Sequence, residues 1–148
     1  MRTPSEDDYR RLLAFRTGLR RFIAWSEAQA RAAGLTPKQH QLMLAIRGHD
    51  DPRGPTIKEA ADYMLLRHNS TVELVNRAEA SGLVRREPSD GDRRMVRLRL
   101  TPLGRQKLEA LAGLTIEELK RYEPAISPIF RPRVAGADAD RSRNELVN

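Results

Sequence analysis

The sequence predicts a mainly α-helical chain with one small β-hairpin. Apolar residues recur at steps of three and four before Gly82 and again after Pro102, the period of an amphipathic helix. Between Leu83 and Leu100 the period changes to two, around a turn-forming centre. Boxes that open helices, a threonine followed three residues later by Gln or Glu, stand at Thr36 and Thr56.

The first helix spans about Ser5 to Ala33. Leu12, Phe15, Leu19, Phe22, Ser26 and Ala30 form its stripe, Ser5 caps it, Asp7 and Asp8 suit the positive end of its dipole, and Gly34 ends it. One small domain cannot cover so long an apolar face, so part of it is expected to meet a second copy of the chain. Thr36, Pro37 and Gln39 open the second helix, with Leu42, Met43 and Ile46 inward. Gly48 to Pro55 breaks it. The Thr56 box starts a short third helix with Ile57, Ala60, Ala61 and Met64 on a narrow face, where small alanines permit close approach of a neighbour. After a turn at Leu66 to Asn69, a fourth helix runs to about Ser81. Its inward side reads as Val72, Val75 and Ala78, and its outward side as Ser70, Glu73 and Arg77.

Leu83 to Glu87 and Met95 to Leu100 read as the hairpin strands, joined by Pro88-Ser89-Asp90-Gly91-Asp92. Val96, Leu98 and Leu100 alternate with Arg97 and Arg99, one apolar and one basic face. Arg85, Arg86, Arg97 and Arg99 are open to two readings, a solvated strand face or contacts with a partner. Thr101-Pro102 begins the last helix, with Leu108, Leu111, Leu119 and Tyr122 on its face and Gly113 weakening it. Pro124, Pro128 and Pro132 forbid a long regular helix beyond, and the polar stretch to Asn148 is expected to be mobile.

With 27 Lys+Arg against 20 Asp+Glu the net charge is +7, which favours a polyanionic partner. Cysteine is absent, which excludes disulfides, zinc-thiolate sites and thiol redox sensing. With no apolar leader or membrane-spanning run, a cytoplasmic protein with no membrane partner is expected. His40 and His49, the latter beside Asp50 and Asp51, lack the spacing of a helical ligand pair, so no metal site is expected and no cofactor is implied. No nucleophile-base set or phosphate-cradling glycine loop appears, which argues against an enzyme.

The informative order of parts lies between Thr56 and Leu100: a short helix, a turn, a second helix, then a hairpin tipped with arginine. A helix fits the major groove of duplex DNA, and a basic hairpin beside it reaches phosphates or the minor groove. From Arg67 to Leu100 eight arginines face five acids, so the basic excess sits where that geometry would use it.

The run TIKEAADYMLLRHNSTVELVNRAEASGLVRREPSDGDRRMVRLRLTPLGRQKLEAL, with LTPKQHQLMLAI upstream, resembles the MarR (multiple antibiotic resistance regulator) family. Its most specific pieces are HNSTVELVNR…GLVRR and DRR…VRLRLTPLG, and the likeness spans about Ser5 to Tyr122. The resemblance implies a winged helix-turn-helix with long N-terminal and C-terminal dimerisation helices. Residues 1–132 form one domain in this reading: 36–100 the DNA-binding core, 5–33 and 101–131 the dimerisation segments, 133–148 a flexible tail. It implies a homodimeric regulator on a pseudo-palindromic double-stranded DNA operator, commonly a repressor released by a small molecule.

By position, Arg67, His68, Asn69, Ser70, Thr71, Glu73 and Arg77 fall on or near the recognition helix and Arg93 and Arg94 at the wing tip, with Asp92 steadying Arg94. Glu73 could accept from a cytosine amine or pair with Arg77 one turn on. An effector pocket would draw on Trp25, His40, Met43, Leu108 and Leu111 and suit a small aromatic or carboxylate compound, although Trp25 reads first as core or dimer packing. The prolines near the C-terminus depart from the family's full last helix. The competing readings are a winged-helix module for protein assembly, which needs no arginine-tipped wing, and a nonspecific architectural DNA binder, whose binding would be strongly salt-dependent and without site preference.

Overall fold

The computed structural model describes residues 1–89 and 92–130; for 92–94, 125, 126 and 128–130 it describes the backbone alone. The chain order is α1 (Glu6–Ala32), α2 (Pro37–Gly48), α3 (Ile57–Met64), α4 (His68–Ala80), β1 (Val84–Ser89), β2 (Asp92–Leu100) and α5 (Pro102–Phe130). Capping chemistry sets most of the starts. Ser5, Thr36 and Thr56 each form a reciprocal box with Asp8, Gln39 and Glu59, and the Thr101 hydroxyl accepts from the Gly104 N–H at 3.0 Å.

Both hairpin strands exceed the sequence expectation. They pair from Val84↔Leu100 to Pro88↔Val96, with an irregularity between Pro88 and Ser89 that accommodates the proline. One close-packed core joins the elements: Leu42, Met43 and Ile46 of α2, Leu74, Val75 and Ala78 of α4, Val84, Leu98 and Leu100 of the hairpin, and Leu108 and Leu111 of α5.

Two expectations need correction, for the α4 stripe and for the last helix. The inward stripe of α4 is Thr71, Leu74, Val75 and Ala78, with Val72 only half-buried; the i, i+3, i+4, i+7 set makes a straighter stripe than one stepping by three alone. On α1, where one small domain was not expected to cover the whole face, only Ser26 and Ala30 of the stripe are buried, and Leu12 and Leu19 stay 56% and 44% exposed. The last helix does not stop at the prolines, because α5 continues through Pro124 and Pro128 to Phe130. The two prolines stand four residues apart on one side, so the amide bonds they forfeit fall in one strip and the rest of the ladder carries the helix onward. The segment expected to be mobile, 133–148, and Pro132 lie outside the described residues.

The hairpin is anchored to the rest by the loop before α3. The Leu98 N–H donates to the Pro55 carbonyl at 2.8 Å, and Thr56 bridges Arg97 as a short third strand. Arg97 Nη1 donates to the Gly54 carbonyl at 2.9 Å and lies 3.6 Å from the Asp51 carboxylate; Arg99 Nη1 donates to the Pro52 carbonyl at 2.6 Å. Gly54 has φ +92°, and a Cβ there would fall 2.0 Å from the Leu98 carbonyl oxygen. Gly104 plays the same part on α5, where a Cβ would fall 2.1 Å from the Leu83 carbonyl oxygen.

Two predictions follow from this packing. Gly104→Ala forces backbone against backbone and is expected to lower stability by at least about 2 kcal/mol in urea unfolding. Gly113→Ala, where nothing lies within 4 Å, is expected to raise it by about 1 kcal/mol. The Asp51 carboxyl is held well below the usual carboxylate range by hydrogen bonds from Arg53, with Arg97 adding attraction. A depressed carboxyl contributes stability above its unfolded value of about 3.9 and loses it as pH falls further. Asp51→Asn should therefore lower the thermal midpoint at neutral pH, and its difference from the parent should shrink as the pH falls below that value. A difference that does not change with pH would remove the clamp as its cause.

Candidate nucleic-acid interface

Helix α4 is the second helix of the helix-turn-helix, and its N-terminus differs from the other four. Its N-cap, Arg67, makes no side-chain cap bond, and its first turn holds no acidic residue. The amides of His68, Asn69 and Ser70 are therefore left for an outside acceptor, at the positive end of the helix dipole. Arg67, His68, Asn69, Ser70, Glu73, Asn76 and Arg77 are all exposed.

The sequence-predicted residues divide clearly. Thr71 is fully buried, and its hydroxyl donates to the Arg67 carbonyl at 2.9 Å. It holds the first turn of α4 and is not available to a partner, a correction forced by its place on the inward stripe. Glu73 and Arg77 do not pair with each other; neither side chain has a hydrogen-bond or ion-pair partner among the described residues. The strand arginines whose side chains are described, Arg85, Arg86, Arg97 and Arg99, each have an internal partner, although Arg85 stays exposed. Arg85 pairs with Glu87 at 2.7 Å, and Arg99 lies 3.8 Å from the same carboxylate.

Arg86 reaches from β1 to two side chains of α4, Asn76 Oδ1 at 2.7 Å and Glu79 Oε1 at 3.0 Å. It fixes the recognition helix against the hairpin, a role sequence reasoning missed. The signal was there only as an arginine followed across space by an acid seven residues upstream. The side chains of Asp92, Arg93 and Arg94 lie outside the described residues; the backbone puts all three on β2, where Asp92 pairs with Ser89.

The expected effector residues do not line a common cavity in the protomer. Met43, Leu108 and Leu111 are core residues, and His40 is buried, its imidazole held below the ordinary range by desolvation. Trp25 is half-buried on α1 and stacks on Phe22, which meets Tyr122 of α5 edge-on at 6.0 Å. The two larger clefts, of about 450 and 520 Å³, take only Leu111 of these five. Helical periodicity cannot distinguish the wall of a pocket from the middle of a core. The remaining histidine near the acidic loop, His49, bonds to Tyr63 Oη and Glu59 Oε2, both at 2.9 Å.

Comparison with known proteins agrees with this architecture. Residues 33–95 match the profile of the MarR family. A MarR-family transcriptional regulator from Silicibacter pomeroyi has a similar structure, with a TM-score of 0.66 and 23% identity over 87% of this chain and 89% of its own. A MepR variant from S. aureus bound to an oligodeoxyribonucleotide aligns with a TM-score of 0.62 and 17% identity, over 74% of this chain and 79% of its own. The M. tuberculosis regulator MOSR in complex with DNA aligns at 0.56 and 21%, over 76% and 80%. No curated protein sequence is significantly similar. Residues 33–95 thus carry the likeness to the MarR family, and the exposed, uncapped α4 beside a basic hairpin has the fold of a winged helix-turn-helix.

Proposed function

We propose that the protein is a homodimeric, sequence-specific regulator of transcription that binds double-stranded DNA. The observation that carries this reading is the outward face of α4, with free amides at its start, unpaired Arg77 and Glu73 along it, and a clamp from Arg86 that fixes it beside the hairpin. The amides suit a phosphate, and the side chains suit base edges in the major groove. That two similar proteins were solved on DNA supports the same partner here. The wing tip, with Arg93 and Arg94, is taken to reach backbone or minor groove beside it. A DNA partner makes the cytoplasm the place of action. Repression, relieved by a small molecule, is the mode the family resemblance implies.

Dimerisation is read from α1 and α5. Tyr9, Leu12, Leu13, Leu19 and Ile23 are exposed along one side of α1, and Leu114, Ile116 and Leu119 are exposed on α5. Apolar surface on this scale marks an interaction site. A two-fold pairing through these helices would set the recognition helices in successive major grooves, matching a palindromic site.

The N-terminus of α4 gives a test in which stability and function move in opposite directions. Arg67→Asp supplies the missing cap and should raise stability by about 1 kcal/mol. The same carboxylate would meet phosphate, so duplex affinity should fall at least tenfold in fluorescence anisotropy. A variant that is more stable yet binds DNA as before would move the interface off this helix end. Glu73→Ala should change base preference at one position of a selected site, and a uniform loss over all sequences would make Glu73 mere helix support. In sedimentation, the parent is expected to be a dimer at micromolar concentration. A Leu12→Glu/Leu19→Glu double variant is expected to dissociate, and a monomeric parent would overturn the dimer.

A further inference from the structure

Asn76 stands on the outward face of α4, one turn beyond Glu73 and two turns beyond Asn69. All three are exposed, on the side opposite the buried stripe of Thr71, Leu74, Val75 and Ala78. An asparagine on such a face can read a base with both ends of its amide. Its Oδ1 accepts and its Nδ2 donates, so it can pair with N6 and N7 of an adenine together. Asn69 keeps that freedom, because its side chain has no partner among the described residues.

Asn76 has lost it. Arg86 Nη2 donates to Asn76 Oδ1 at 2.7 Å. The same guanidinium donates through Nη1 to Glu79 Oε1 at 3.0 Å, and the Arg86 backbone N–H donates to Glu79 Oε2 at 3.2 Å. Arg86 is therefore held from two positions on α4, and only 27% of its side chain is exposed. Arginine has donors and no acceptor, so the amide end that faces it must be the oxygen. Turning the amide over would set Nδ2–H against Nη2–H and lose a charge-assisted bond. Nδ2, which has no partner among the described residues, is the end left for one.

A base that brings an amine to this position meets the wrong chemistry. One lone pair of Oδ1 is spent on Arg86, and an amine approaching the other lies beside a cation that is itself all donor. Adenine N6 and cytosine N4 are such amines. Guanine instead brings O6 and N7, two acceptors side by side. The Nδ2 protons and the neighbouring guanidinium charge both favour that edge.

We propose that Asn76 is a specificity residue that donates to a guanine in the major groove, and that Arg86 is the positioning residue that makes it a donor. Asn76 lies outside the residues that sequence position assigned to DNA. The inference rests on the proposed DNA binding and adds to it the base class read at one point of α4.

The test begins without DNA. Arg86→Met keeps an unbranched side chain but removes its donors, and is expected to shift the side-chain amide resonances of Asn76 in the full chain. Unmoved resonances overturn the inference. Each base pair of a duplex selected by the full chain is then varied in competition anisotropy. Asn76→Ala is expected to flatten the preference at one base pair, where the parent favours guanine over adenine by about tenfold. Arg86→Met should reduce that ratio at least about fivefold, because the freed Oδ1 admits adenine. Arg86→Met/Asn76→Ala should show no preference there. A uniform loss over all duplexes in Arg86→Met, with the ratio unchanged, overturns the positioning role. Asn76→Asp keeps a partner for Arg86, and so keeps the fold, but removes the donor; it should lose the guanine preference, and retaining it overturns the inference. A parent that binds duplex but favours adenine at that pair, or whose preferences all survive Asn76→Ala, overturns the inference while upholding the DNA reading. A parent that binds no duplex overturns both.

Discussion

The contact between β2 and the loop before α3 holds the hairpin and the helix-turn-helix in one frame. The hairpin has only two full strands and would be marginal alone. It is held because Leu98 bonds to Pro55, Gly54 leaves room for the Leu98 carbonyl, and Arg97 and Arg99 grip the carbonyls of Gly54 and Pro52. The loop in turn fixes where Thr56 caps α3, and α3 packs on α4 through Ala60. Moving this joint would displace wing and recognition helix together.

From this frame the charge distribution of the recognition surface makes physical sense. Arg85, Arg86, Arg97 and Arg99 of the strands are spent on internal partners: Asp51, Glu79, Asn76, Glu87 and loop carbonyls. Those on α4, Arg67 and Arg77, are exposed, and the helix start is left uncapped. A surface that leaves amides and guanidinium groups without internal partners at one helix, while satisfying those beside it, is suited to a polyanion at that helix.

The long helices obey a different constraint. Phe22, Tyr122 and Trp25 join α1 to α5, yet the side of α1 bearing Leu12, Leu13 and Ile23 remains open. A helix of 27 residues offers more apolar perimeter than one antiparallel neighbour can cover. The continuous α5, longer than its prolines suggested, extends the surface available for a partner.

The sequence by itself determined the element order, the four hydroxyl caps found and the hairpin, because capping, turn chemistry and period are local and each leaves its mark within a few residues. It also carried the resemblance to the MarR family, through the motifs in α4 and the hairpin. It could not decide that Thr71 points inward, that α5 continues through Pro124 and Pro128, or that Met43 and Leu108 are core and not pocket. Nor could it show that Arg97 and Arg99 hold a loop more than forty residues away, or that Arg86 clamps α4. Those outcomes depend on which surfaces meet. A stripe of apolar residues reads the same whether it faces a core, a cavity or a second chain, and an arginine reads the same whether its partner is a carbonyl across the fold or a phosphate outside it. Only the tertiary structure supplies the neighbour, and the neighbour decides the role.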